Sequence, residues 1–240
     1  MLAIWKRELQ NYYLTPIGYV FMGIFLLVGG IMFSLSNIYS ASATLAGMLN
    51  NLNYIFMLIV PILTMKLLSE EKRSKTDQLL LTSPRSIWDI VLGKFLAACS
   101  VILISTAITM FYVIILAVYS NATYPALIAT NYLGFLLLGF SYVAIGVLMS
   151  ALTESQVSAA VLTIGVNLLL QILESVGSSV SIPGFPLLNT VISWFSLYTR
   201  YNDFSGGILS IANVIYYISF CGVMLFLAVR VIDKRRWSEG

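Results

Sequence analysis

Apolar residues fill four long segments of the chain from which charged residues are absent. No Asp, Glu, Lys or Arg occurs among the 57 residues between Glu8 and Lys66, or among the 59 residues between Lys94 and Glu154. About 20 apolar residues cross a hydrocarbon core of roughly 30 Å, so each segment has room for two membrane helices and a loop. Two shorter uncharged segments, of 19 residues after Glu154 and 26 residues after Asp203, each have room for one more helix. The pattern predicts six membrane spans.

Short clusters of Asn, Ser and Pro separate the predicted spans. Residues 50–53 belong to the cluster between spans 1 and 2, and Pro125 and Asn131 belong to the one between spans 3 and 4. We therefore expect an all-α integral membrane protein with one domain over residues 1–240. Its six transmembrane helices are predicted at about residues 17–35, 54–68, 95–119, 132–152, 157–173 and 208–230.

The basic residues fall almost entirely at one end of the predicted spans. Twelve of the 13 Lys and Arg residues precede span 1, flank the link between spans 2 and 3, or follow span 6, and only Arg200 lies at the other end. Since positively charged loops stay on the cytoplasmic side, both termini are predicted to be cytoplasmic. We expect a multi-pass protein of the cell membrane.

Three further segments have helical patterns that do not fit a span. Residues 2–13 carry apolar side chains at helical spacing before Pro16, which indicates either an interfacial elbow helix or a flanking anchor of no special role. Residues 70–81 combine dense charge with a leucine run, which fits a cytoplasmic amphipathic helix that docks a protein, or a solvated loop. Residues 187–198 are apolar but too short to cross, so we expect a helix that dips into the outer leaflet.

Span 5 is the least apolar of the six. Thr163, Asn167 and Gln171 recur every four residues and therefore share one face of the helix. Polar side chains in hydrocarbon are costly unless they meet water or a partner helix. This face either lines a path or supplies hydrogen bonds between helices, and the residue types alone favour the second interpretation.

Span 4 carries small residues at positions suited to close helix packing. They are Gly134, Gly139, Gly146 and Ser150, of which the last two are spaced as a small-xxx-small pair.

Composition and motifs exclude several kinds of binding site and catalytic site. The net charge is only +3, which leaves no broad basic face for nucleic acid. The chain has no histidine, which excludes His-ligated metal sites and Ser-His-Asp triads. Its only Gly-Lys pair, Gly93-Lys94, lies at the start of span 3 and is not part of a phosphate-binding loop. We expect no catalysis and no cofactor in this chain.

Several motifs, taken together, carry a resemblance to a known family. They are Trp5-Lys6-Arg7-Glu8 with Thr15-Pro16, residues 70–74 followed by 79–84 and 92–95, Ala144-Ile145-Gly146 with 150–153, and residues 203–207 with 234–237. In these motifs the chain resembles the ABC-2 type permeases, the membrane subunits of ATP-binding-cassette transporters. Within them it is most similar to the branch of the gliding-motility and nitrous-oxide-reductase maturation permeases.

The resemblance implies roles for particular segments. It implies an N-terminal interfacial elbow helix, a cytoplasmic coupling helix between spans 2 and 3, and a re-entrant outer helix between spans 5 and 6. The residues that it implies at the ATPase contact are Glu70, Glu71, Arg73, Asp77, Leu79, Leu80, Leu81 and, in the turn between spans 4 and 5, Glu154. It also shifts Thr163, Asn167 and Gln171 from interhelical hydrogen bonding toward lining of the path or the dimer interface.

The resemblance further implies partners and a function. The partners are a dimer of ABC ATPase subunits that bind ATP and Mg, a second copy of this permease or a homologous one, membrane lipid, and an accessory subunit on the outer side. The implied function is that of an exporter permease in a prokaryotic cell membrane. The alternative is an ATPase-coupled membrane module that acts on an outer-side partner without translocating a substrate.

Overall fold

The computed structural model describes residues 1–74, 86–119, 124–179 and 196–238, with the backbone alone at 119, 174–179 and 235–238. This part of the chain folds into helices and contains no strand. The α-helices are α1 (Leu2–Leu14), α2 (Pro16–Phe33), α3 (Ala46–Thr64), α4 (Lys66–Arg73), α5 (Ile87–Thr109), α6 (Phe111–Tyr119), α7 (Pro125–Leu152), α8 (Gln156–Ser179), α9 (Leu197–Ser205) and α10 (Ile211–Ser238). A π-helix at Ser34–Tyr39 extends α2.

In the described part of the chain, six helical segments are long and apolar enough to cross a membrane, which confirms the predicted number of spans. They are Pro16–Tyr39, Ala46–Arg73, Ile87–Val118, Pro125–Leu152, Gln156–Leu173 and Ile211–Lys234, and we number them as spans 1 to 6.

Spans 2 and 4 begin earlier in the structure than the sequence pattern predicted. The Asn cluster before span 2 lies inside α3, where Asn50 donates to Ser205 at 3.3 Å and Asn51 donates to Ser36 at 3.2 Å. Pro125 is the first residue of α7, a position at which a helix needs no backbone N–H. The asparagines suggested a loop because they are polar. Their hydrogen-bond partners lie in other elements, which the sequence pattern does not show.

Spans 2 and 4 form the centre of the bundle. In their most apolar windows, 67% of span 2 and 72% of span 4 is buried, against 17% to 33% for the other four. Rings from spans 1, 2 and 4 meet between them: the centroid of Phe56 lies 5.5 Å from that of Phe25 and 4.9 Å from that of Phe135. Since lipid tails are as apolar as these side chains, close contact rather than exclusion of water stabilises such a core.

Small residues of span 4 give the neighbouring helices their close approach, as the sequence predicted. A Cβ atom at Gly139 would lie 2.5 Å from the ring of Phe56, and one at Gly146 would overlap the hydroxyl of Thr64. Gly134 accepts the side chain of Phe204 in the same way. Span 4 is therefore the helix against which span 2 and α9 pack.

Two short helices, α1 and α9, lie at opposite ends of the bundle. At the charged end, where α1, α4, the start of α5 and the α7–α8 turn meet, Trp5 donates to Ser100 at 3.0 Å. Tyr12 of α1 donates to the carbonyl of Leu63 at 3.0 Å. At the opposite end, α9 packs on α7, and Ser196 caps it by accepting a hydrogen bond from the amide of Thr199.

Some predicted segments lie wholly or partly outside the described residues. These include Asp77 and Leu79 to Leu81 of the predicted coupling helix, and residues 187–195 of the predicted re-entrant helix. The position of α1 in the membrane interface likewise stays a prediction.

We expect Gly146→Ala to destabilise the bundle, because the new methyl group would lie 2.7 Å from the Cβ atom of Thr64, which rotation of that side chain does not move. Overpacking of this kind costs about 1–3 kcal/mol, which should lower the melting temperature of the purified protein by several degrees. Gly222→Ala is the matched control, since a Cβ atom there meets nothing within 4 Å. Equal melting temperatures for the two variants would contradict the packing.

Candidate functional site

The charged end of the bundle is organised around α4, the short helix that continues span 2 beyond Met65. One side of α4 is buried in the bundle through Leu67, Leu68 and Ser69. The other side is exposed at Glu70 and Arg73. A helix of this kind joins a surface available to a partner directly to the centre of the membrane domain.

Four charged side chains from three helices meet on the inner side of α4. Lys94, at the start of span 3, is only 2% exposed, and its Nζ lies 2.8 Å from Glu71 and 3.4 Å from Glu8 of α1. Arg7 lies 2.8 Å from Glu8 and 3.9 Å from Glu71. We call these four residues the charge cluster, in which two cations balance two carboxylates.

The charge cluster stabilises the arrangement of α1, α4 and span 3. Burial opposes ionisation of Glu8, but the charges of Lys94 and Arg7 outweigh that effect and lower the pKa of the carboxyl. An unpaired charge in such a place costs several kcal/mol, so each side chain is held by the others. Movement of α4 therefore acts directly on α1 and on span 3.

A groove of about 340 Å³ opens beside the charge cluster, between α1 and the end of span 2. Its lining combines Lys66 and Glu70 with the polar side chains of Asn11 and Thr15.

No group of three His, Cys, Asp or Glu residues that could hold a metal ion occurs in the described ranges.

The buried side of α4 is also bound to the end of span 4. The hydroxyl of Ser150 accepts hydrogen bonds from the amides of Leu68 and Ser69, at 3.0 Å each. Lys72 donates to the carbonyl of Ala151, one residue further along span 4. The turn that follows exposes Glu154, the second of the two predicted ATPase contacts.

The polar face of span 5 points into the protomer. Thr163 and Asn167 are each 1% exposed; Thr163 donates to Ala159 of its own helix, and Asn167 donates to the carbonyl of Met57 in span 2 at 3.4 Å. Gln171 is partly exposed beside a small pocket that also contains Tyr142 and Tyr198. This geometry fits hydrogen bonding between helices for Asn167, whereas Thr163 bonds within its own helix. A role of this face in lining a path stays a prediction.

The structure separates the predicted ATPase contacts into two groups. Glu70, Arg73 and Glu154 are exposed at the charged end, whereas Glu71 belongs to the charge cluster. The roles of Glu8 and Lys94 were not predicted. The signal was available in part, because Lys94 immediately precedes the predicted span 3 and a charge at the membrane requires a partner.

We expect Lys94→Met to destabilise the protein by about 3 kcal/mol, because it leaves two largely buried carboxylates against one arginine. Adding Glu71→Gln removes the surplus negative charge and should restore much of the loss. Melting temperatures of the single and double variants in detergent measure this coupling. Lys6→Met, an exposed change on α1, is the control, and a double variant less stable than Lys94→Met would overturn the pairing.

Comparison with known protein families accounts for nearly the whole chain. A family model described as ABC-2 family transporter protein matches residues 3–233, which include the charge cluster, spans 1 to 5 and all but the terminal residue of α1 and of span 6. The match gives no branch within the family, so the similarity to the gliding-motility and nitrous-oxide-reductase maturation permeases stays a prediction. A comparison with curated proteins finds no match. The chain belongs to the ABC-2 family of transporter membrane proteins.

Proposed function

We propose that this chain is the permease subunit of an ABC exporter. It forms a translocation path together with a second copy or a homologous permease, and a separate dimer of ATPase subunits binds ATP and Mg and supplies the energy. The charged end faces the cytoplasm, as the distribution of Lys and Arg predicts. The observation that carries the proposal is α4, which presents exposed charges on one side and is bound to three other helices on its inner side.

The inner contacts of α4 provide a physical route for coupling. Glu71 binds Lys94 of span 3, and Lys72 binds the end of span 4. An ATPase that moves α4 would therefore displace several spans together instead of bending one loop. Rigid motion of packed elements of this kind is a usual basis of switching between conformations.

Within the proposed contact, exposed and buried residues have different roles. Glu70, Arg73 and Glu154 offer charged side chains to the ATPase, and Asp77 with the leucines at 79–81 would extend the surface as a coupling helix. Glu71 is held by Lys94, so its part in coupling is to transmit movement from the contact. Substitution of Glu71 would consequently disturb folding as well as coupling.

Outward-facing apolar residues are consistent with a paired assembly. Span 5 exposes Val157, Val161 and Leu169 along its length, and only 17% of its apolar window is buried. Such a surface requires either lipid or a second permease. Thr163 and Asn167 are buried on the other face, so they would meet a path only if span 5 separates from span 2.

We expect Arg73→Glu to weaken association with the ATPase subunit that copurifies with the wild-type chain, and to lower ATP hydrolysis by the complex about tenfold, since an exposed contact charge is reversed. Lys234→Glu is the matched control, because it makes the same change of charge at another exposed position of the charged end. Copurification and ATPase assays in nanodiscs measure both effects.

Three results distinguish the alternatives. Equal losses in both variants would indicate a general effect of charge and contradict the contact at α4. If no ABC ATPase copurifies with the wild-type chain from its native membrane, the proposed function is wrong. Vesicles that show coupled ATP hydrolysis and a movement of the spans, yet export nothing from a lipid and peptide library, would favour the module without translocation.

A further inference from the structure

Span 2 is an interrupted helix in the middle of the bundle. Pro61 lies inside α3, and the helix ends at Thr64 before resuming at Lys66. Val60, Thr64 and Leu68 beside the two sites are buried, whereas Met65 and Lys66 are partly exposed, so water has little access to most of the backbone groups there. Other helices must supply the missing partners.

The first interruption releases the carbonyl of Met57. In an α-helix this carbonyl accepts from the amide four residues later, but that residue is Pro61, which has no N–H. The side-chain amide of Asn167, in span 5, donates to the carbonyl of Met57 at 3.4 Å. Asn167 thus replaces a backbone hydrogen bond of span 2 with one from another helix.

The second interruption is satisfied from span 4. The hydroxyl of Ser150 accepts from the amides of Leu68 and Ser69 and donates to the carbonyl of Met65 at 3.2 Å. It therefore uses its one donor and both acceptor sites. These are the hydrogen bonds of an N-cap, supplied here by a residue of a different helix.

We infer that Asn167 and Ser150 are positioning residues that hold the interrupted form of span 2 by replacing the backbone hydrogen bonds it lacks. The half of span 2 beyond Pro61 leads into α4. A displacement of α4 must therefore carry spans 4 and 5 with it or break these bonds. The part of this inference that concerns transmission rests on the proposed function; the structural part does not.

A double-mutant cycle on the isolated full-length chain tests the role of Asn167. Pro61→Ala restores an amide to the helix, which can then bond the carbonyl of Met57 and make Asn167 dispensable. Asn167→Leu should lower the melting temperature by about 3 °C in the wild-type background, and by less than half as much in the Pro61→Ala background. Equal losses in the two backgrounds would overturn this role.

An isosteric pair tests the role of Ser150. Ser150→Thr and Ser150→Val add the same volume, and only the threonine keeps the hydroxyl that binds Met65, Leu68 and Ser69. The valine variant should melt several degrees below the threonine variant. If both melt at the same temperature, the hydroxyl does not hold the interruption and the inference fails at this site. This comparison stays decisive if Pro61→Ala does not fold.

A functional assay separates positioning from stability alone. In complexes with the copurifying ATPase, Ser150→Val should lower the maximal rate of ATP hydrolysis about threefold with the KM for ATP unchanged, and Ser150→Thr should retain the wild-type rate. Spin labels at the exposed positions Leu58 and Ser74, on either side of the interruptions, should report a smaller nucleotide-dependent change in distance in the valine variant.

The outcomes of this assay remain distinguishable. An unchanged rate and distance change in a less stable Ser150→Val complex would overturn the transmission part of the inference. Absence of any associated ATPase would contradict the proposed function, while the melting temperatures of the isolated chain still decide whether Asn167 and Ser150 hold span 2.

Discussion

The described structure depends on one constraint: a buried backbone group in a membrane helix must find its hydrogen-bond partner inside the protein. Span 2 departs from a regular helix at Pro61 and again at Met65. Side chains from two other spans supply the missing bonds, through Asn167 and Ser150. The glycine at position 146 belongs to the same arrangement, because it lets span 4 approach closely enough for its serine, one turn later, to reach the interrupted backbone.

The same constraint applies to charge at the end of the bundle. Lys94 is almost fully buried, and two carboxylates from different helices hold it. The two sets of contacts join α4 to different helices: hydrogen bonds to span 4, and ion pairs to α1 and span 3. Between helices in lipid the hydrophobic effect contributes little free energy. The hydrogen bonds and the ion pairs therefore determine the position of α4.

The sequence predicted features that depend on composition along one helix. The uncharged segments indicated six spans, and the spacing of small residues indicated the packing face of span 4. Features that depend on distant pairing were missed. Asn50 and Asn131 suggested loops, although both lie in helices. Glu8 and Lys94 are 86 residues apart, and no local pattern shows that their side chains meet. Part of the predicted coupling surface, at 75–85, lies outside the described residues.

The polar face of span 5 can bond to another helix or line a path, and the free energy of the Asn167–Met57 hydrogen bond relates the two interpretations. In the described state Asn167 is 1% exposed and bonded to span 2, so it cannot contact a transported molecule. To face a path, span 5 must separate from span 2 and leave the carbonyl of Met57 without a partner. In a dry interior that costs about 1–3 kcal/mol, whereas a path open to water or polar cargo would satisfy both groups. A wet or occupied path would therefore favour the opening of span 5 over a dry path by about 1–3 kcal/mol.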